Sequence, residues 1–291
     1  MIGRRPTGVT VDGFDLNGGT TDHRFELIKV TGWWGTSATV EGTAQARQTI
    51  GLFREPGRRG GRLVTIEGRV VARDRQAMTV ALGDLDAVLA DGGFGVLTID
   101  ERSEGARTAV VRLAGPPDVD WNGGPFARYQ LQLQAPDPFR YGETREGSTT
   151  FPSTAEGVAA VWPAFPDGVF EWGDPPPPDS LGVTTVTNLG TADADPVFTV
   201  SGPVGVDGFR ITDVTTGHQI TYLGDVPDGS TLVVDTARGT AAINGSVDRT
   251  SSLLVTRWPQ VGRRATHEFL FQPLGDRTDA VLTVGVTATY W

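Results

Sequence analysis

The chain contains no cysteine, which removes disulfide scaffolds, thiolate zinc sites and thiol nucleophiles together and leaves packing to hold the fold. Lysine is nearly missing as well: Lys29 is the only one, and the rest of the basic charge is arginine. No uninterrupted apolar run approaches about 18 residues, and the opening MIGRRPTGVTVDGFDL has basic residues without an apolar stretch behind them, so neither a signal peptide nor a membrane span is expected. His23, His218 and His267 lie far apart with no second ligand at metal spacing, and read as isolated structural or surface residues. H-E-x-x-H, G-x-S-x-G and P-loop signatures do not occur.

What is present is turn chemistry. The 291 residues include 39 glycines and 19 prolines, with 21% charged residues; this balance suits short strands joined by many turns, and the length allows two domains. A net charge of −10 argues against general affinity for nucleic acid or anionic membrane. Arginine makes planar bidentate contacts to carboxylates at interfaces, so an arginine-rich acidic chain fits protein partners better than phosphates.

Period separates the elements. RLVTIEGRVVARD from Arg62 reads as one long strand, bulged at Gly68, with Leu63, Thr65, Val70 and Ala72 alternating. In DRQAMTVALGDLDAVLADGG the apolar Met78, Ala81, Leu82, Leu85, Val88 and Leu89 fall at helical spacing, with Asp74 as N-cap and Gly92 and Gly93 at the end. Strands follow at residues 95–100, 108–115 and 126–135, with WNGG at 121–124 as a turn. LQLQAPDPFRYG then alternates and stops, because Pro136 and Pro138 interrupt the ladder. From Val183 onward short β-branched and aromatic runs are spaced by Gly, Asp and Asn, the pattern of a β-sandwich or jelly-roll. The expected division is an N-terminal domain over 1–143, a proline-rich crossing segment over 144–182 that includes DPPPPDS, and a C-terminal domain over 183–291.

The chemical candidates have plain alternatives. The acid pairs Asp84/Asp86, Asp193/Asp195 and Asp225/Asp228 read as a solvated helix face and as turn residues; calcium in DVPDG and a paired-carboxylate glycosidase are the competing readings. REPGRRGGR resembles an RGG segment but lacks interleaved aromatics, so Arg54, Arg58, Arg59 and Arg62 are candidates for a subunit or partner contact. Of the adjacent Trp33 and Trp34, strand period sends one to the core and the other to the surface. Asn244-Gly245-Ser246 reads as a turn. Asp137, held between Pro136 and Pro138 with Tyr141 nearby, is expected to accept backbone hydrogen bonds and fix the path by which the chain leaves the domain. Trp172 and Trp258 are candidates for stacking on a glycan.

The order of pieces resembles the distal tail protein family of long-tailed phages, over almost the whole length. GRLVTIEGRVVARD followed by a helix, LQLQAPDPFRYG, WPAFPDGVFEWG, TNLGTADADPVFTVSGP, GSTLVVDTARGTAAING and the closing ATYW carry the resemblance; DPPPPDS looks like an insertion, and GRRATHEFLF departs from the family's turn. The resemblance implies a mainly β protein with no enzymatic activity and no cofactor. Its N-terminal domain would be β-sandwich or split-barrel-like with one helix, and its C-terminal domain a jelly-roll or galectin-like sandwich. It also implies a hexameric ring at the end of the tail tube, made in the host cytoplasm and carried in the virion. Its partners would be further copies of itself, the tail tube protein, and tail-tip hub, baseplate and receptor-binding proteins. The alternative is a carbohydrate-binding or receptor-binding module of the virion surface.

Overall fold

A computed structural model describes residues 6–40, 58–102, 104–152 and 180–291, apart from the side chains of Thr39, Val40 and Arg58. The chain divides into two compact units, Met1–Glu143 with Thr289–Trp291, and Thr144–Ala288. The division falls inside two strands, one over Arg140–Thr150 and one over Val281–Tyr290.

In the first unit the strands are β1 (Gly8–Val11), β2 (Phe14–Asp15), β3 (His23–Thr31), β4 (Thr39–Val40), β5 (Arg58–Arg59) and β6 (Arg62–Ala72). After the helix α1 (Arg75–Ala87) come β7 (Gly95–Glu101), β8 (Gly105–Leu113), β9 (Asp118–Asp120), β10 (Phe126–Ala135) and the first residues of β11 (Arg140–Thr150). All described pairings are antiparallel. One layer runs β2-β1-β7-β8; the other runs β10-β6-β3, with β9 also on β10. Strand β8 belongs to both, pairing with β7 over Gly105–Val111 and with β10 at Arg112 and Leu113, so it turns the corner between layers, and among the described residues no barrel is closed.

Alternation explains the core. Val64, Ile66 and Val70 of β6 and Leu131 and Leu133 of β10 are fully buried, each two residues from the next inward position, as a pleat requires. Helix α1 places Met78, Ala81 and Leu85 on the same core, and Asp74 Oδ1 caps its start by accepting the Ala77 N–H at 2.8 Å. Two details correct the sequence reading. Strand β6 is continuous through Gly68; the register shift lies opposite it in β3, between Leu27 and Lys29. Gly68 is glycine because a Cβ there would collide with the Tyr129 ring packed across it. The inward set of β6 is also the other one at its start: Leu63 is 53% exposed and Arg62 is buried.

The second unit begins with residues 144–150 of β11, so the first part of the expected crossing segment is strand. There Thr144 and Ser148 hydrogen-bond Thr287 and Thr283 at 2.8 and 3.0 Å. WPAFPDGVFEWG and most of DPPPPDS lie outside the described residues. The remaining strands are β12 (Val183–Thr187), β13 (Val197–Ser201), β14 (Phe209–Asp213), β15 (Gln219–Tyr222), β16 (Thr231–Asp235) and β17 (Thr240–Ile243). They are followed by β18 (Val247–Asp248), β19 (Leu253–Val255), β20 (Thr266–Pro273) and β21 (Val281–Tyr290). One sheet runs β18-β17-β16-β13-β21, the other β12-β20-β14-β15-β19. Between them Phe198, Phe209, Phe269 and Phe271 are fully buried, and Phe151 stacks on Phe271 with centroids 4.1 Å apart. This is a β-sandwich filled by aromatic residues. Asn244 and Gly245, both at positive φ, form the tight turn from β17 to β18.

Candidate subunit-contact surface

Strand β10 ends at Ala135, and the following turn is held by side chains. Asp137 Oδ1 accepts the Phe139 N–H at 2.9 Å, and Oδ2 accepts the Tyr141 hydroxyl at 2.5 Å. The Pro138 carbonyl accepts Arg62 Nη2 at 3.0 Å. Arg62 also donates through Nη1 to the carbonyls of Gly32, Trp33 and Gly35, at 3.1, 2.9 and 2.9 Å. It is 3% exposed, and burial pushes its guanidinium down. The expectation that Arg62 faces a neighbouring subunit is therefore corrected: β6 begins one residue earlier on the inward side than the Leu63 pattern indicated, and the guanidinium ties loop 32–35 to the exit turn.

Sequence reasoning missed the rest of this buried cluster. Trp33 donates its indole N–H to Glu101 Oε1 at 2.9 Å. Arg107 Nη1 and Arg140 Nη1 lie 3.5 and 3.6 Å from the same oxygen, and Arg107 Nη2 meets Glu104 at 2.5 Å. The Arg107 guanidinium sits 3.9 Å from the Tyr290 ring, Arg140 Nη2 donates to the Trp291 carbonyl oxygen, and the Trp291 ring lies 4.6 Å from Phe139. Burial, followed by the charges of Arg62 and Arg107, pushes the Arg140 guanidinium down to about 10, with Glu101 and Glu104 opposing. Arg140 stands in DPFRYG and Trp291 in ATYW, yet no local spacing joins residues 151 apart in sequence.

The outer face of β9-β10-β6-β3 is an exposed surface of this unit. Registers Arg128↔Asp120, Arg128↔Arg69 and Arg69↔Glu26 align one row of charges across four strands. Arg69 bridges Glu26 at 2.6 Å. A groove of about 690 Å³ crosses the row, lined by Ile28, Arg69, Asp118, Asp120, Phe126 and Arg128. Phe126 and Ile28 are 58% and 50% exposed. Aromatic and aliphatic anchors beside arginine, within reach of carboxylates, are the composition of protein–protein contacts. The edge strand β3 is bulged at Ile28 and carries the chain's one lysine, which discourages uncontrolled strand addition.

The other candidates are scattered. Arg54 and Trp172 lie outside the described residues, and Arg58 is described only as backbone of β5. Arg59 is exposed and donates to the Ser37 carbonyl at 3.0 Å. Trp258 is half-buried, packs on the core of the second unit and has Gly239 beside its ring. Trp33 is fully buried, while Trp34 is partly buried against the same core. Asp213 and His267 form a buried pair at 2.9 Å that resembles part of a hydrolytic trio. His267 Nε2, however, accepts the Gly262 N–H at 3.4 Å, and Asp213 also accepts from Thr216 and the Thr215 N–H. With both ring nitrogens engaged, the pair joins the 213–218 turn to the loop before β20. Asn188, fully buried, pins the same region through the carbonyls of Ala192, Val261 and Gly262. Asp193 and Asp195 accept from the Arg263 N–H and from Gln260. Among the described residues no group of three or more His, Asp or Glu is placed to hold a metal, and no helix is long and apolar enough to cross a membrane.

Residues 189–269 match the family model of the siphovirus-type tail component, C-terminal domain. The fold is similar to that of SPP1 Dit, described as a paradigm of the hub adsorption apparatus in phages that infect Gram-positive hosts. That similarity has a TM-score of 0.67 at 15% identity and covers 98% of this chain and 99% of that one. A chain of the phage P2 baseplate in its activated conformation with Ca matches with a TM-score of 0.45 at 10% identity, over 93% of this chain and 99% of that one. A chain of the phage p2 baseplate in its activated conformation with Sr matches with a TM-score of 0.43 at 11% identity, over 96% of this chain and 97% of that one. No curated protein sequence matches. The family match and the shared fold support the resemblance to distal tail proteins drawn from the sequence.

Proposed function

We propose that this chain is a distal tail protein of a long-tailed phage, a non-enzymatic hub that forms a ring, hexameric by the family resemblance, at the end of the tail tube. The observation that carries the reading is the family match over residues 189–269, which falls in a chain whose motifs run in the family's order on both sides of it. The first unit builds the ring. Its outer β9-β10-β6-β3 face supplies a mixed-charge contact with Phe126 and Ile28 as anchors, suited to a head-to-tail interface that closes on itself. The second unit carries tail-tip, baseplate or receptor-binding proteins. Asp137 and its turn set the direction in which the chain leaves the ring-building unit.

Electron microscopy and solution mass measurement of the purified chain test this. The expected result is a closed ring of six copies, alone or with tail tube protein. A strict monomer under both conditions overturns the ring.

A further inference from the structure

Asparagine followed by glycine occurs three times, at Asn17, Asn122 and Asn244. A following glycine has no Cβ to shield its amide nitrogen, so the asparagine side chain can reach it, one reason asparagine counts among the thermolabile residues. What separates the three pairs is how the side-chain amide is held. Asn17 Oδ1 accepts the Leu27 N–H at 3.3 Å, and its Nδ2 donates to the Thr7 carbonyl at 3.1 Å. Asn244 Oδ1 accepts the Thr231 N–H at 2.9 Å, and its Nδ2 donates to Ser230 Oγ at 3.3 Å. Asn122 is exposed; its Oδ1 accepts the Gly124 N–H at 3.3 Å, and its Nδ2 has no partner among the described residues.

The turn around Asn122 is fixed at its base and open at its tip. Trp121 Nε1 donates to the Gly124 carbonyl at 2.8 Å, the Pro125 carbonyl accepts the Ala72 N–H at 3.0 Å, and Trp121 packs against the core of the first unit. Gly123, at φ +86°, is exposed and has open space where a Cβ would stand. The tip borders a hollow of about 440 Å³ whose lining includes Asn122, Asp120, Phe126 and Arg128, and the last three also line the groove on the outer face.

We propose that Asn122 is a site of spontaneous deamidation, with water as the only co-reactant. The Gly123 nitrogen attacks Asn122 Cγ and gives up its proton; the Cγ–Nδ2 bond breaks, ammonia leaves with that proton, and a cyclic succinimide closes. Water then opens the ring. Breaking the new N–Cγ bond leaves aspartate, whereas breaking the original bond between the Asn122 carbonyl carbon and the Gly123 nitrogen leaves isoaspartate, with the chain running through Cγ. Either product places a carboxylate beside Asp120 at the edge of the groove, and isoaspartate also lengthens the main chain inside a turn held at its base. The weakened subunit contact that follows from the added charge rests on the ring reading; the chemistry at Asn122 does not.

In the test the full chain is warmed at neutral and at mildly alkaline pH, and its peptides are weighed by mass spectrometry. The expected result is an amide-to-acid mass gain on the peptide containing Asn122, faster at the higher pH. It should be about tenfold faster than on the peptides containing Asn17 or Asn244, whose amides must first break two hydrogen bonds. An isoaspartyl methyltransferase should label the peptide containing residue 122, and Asn122→Gln should abolish the mass gain and this label at unchanged melting temperature. Asn122→Asp, which carries the product's charge, should weaken self-association about tenfold. No mass gain at Asn122, or an equal rate at Asn17 or Asn244, overturns the modification site. Association of Asn122→Asp as tight as that of the wild type overturns the effect on assembly. A wild type that never assembles overturns the ring and that effect with it, and the mass gain at Asn122 still decides the site.

Discussion

Asp137 shows how much one carboxylate can organise. With Pro136 and Pro138 fixing the backbone, its two oxygens take the Phe139 N–H and the Tyr141 hydroxyl, so Asp137→Ala leaves two donors seeking water at a half-buried turn. The expected loss is about 1–3 kcal/mol, with Asp137→Asn milder because the amide oxygen still accepts; thermal melts compare the two. Arg62 is the stronger test of the same region. Arg62→Met removes the donors from four carbonyls at once and should cost about 3 kcal/mol or more, whereas Arg59→Glu with Arg58→Glu should leave melting nearly unchanged and weaken assembly. Equal melting of the Arg62 variant and the wild type contradicts the internal tie.

At the scale of elements, helix α1 depends on its cap. The backbone N–H of Ala77 is the main cause that holds the Asp74 carboxyl below its usual value, with Arg73 adding to it. A lowered folded value means stability that is present above the unfolded carboxylate range and lost as pH falls through the folded one. The melting difference between wild type and Asp74→Ala is therefore expected to be full at neutral pH and to shrink under acid conditions; a constant difference contradicts the assignment. Strand β6 has its own sensitive point. Gly68→Val forces the Tyr129 ring out of its place over the strand and breaks its hydroxyl bond to the Leu16 carbonyl, an overpacking expected to cost about 1–3 kcal/mol. Gly83, with open space around its Cα on the same unit's helix, is the control: Gly83→Ala should be neutral or stabilising.

For the whole molecule, the division inside β11 makes a prediction about fragments. A piece beginning at residue 144 keeps the Thr144 and Ser148 bonds and the Phe151–Phe271 stack, so it should outmelt one beginning at residue 183, the boundary expected from composition. Equal stability contradicts the assignment of residues 144–150 to the second unit. Trp291 and Tyr290 matter to the first unit in turn: Trp291→Ala should lower the melting of that unit by removing the ring against Phe139.

What the sequence determined by itself is what nearest neighbours along the chain decide. Two-residue alternation announced β10 and the strands after Val183, the Asp74 cap and helical spacing announced α1, and Asn244-Gly245 announced a turn, because pleat, helical pitch and positive φ are local properties. Asp137 was legible for the same reason, since its donors lie two and four residues away. The tertiary structure alone decided that Arg62 points inward, that the bulge sits in β3 instead of β6, and that Arg140 meets Trp291. Each depends on contacts between strands far apart in sequence. A one-residue change of register turns a side chain from solvent to core, and only the partner strand fixes that register.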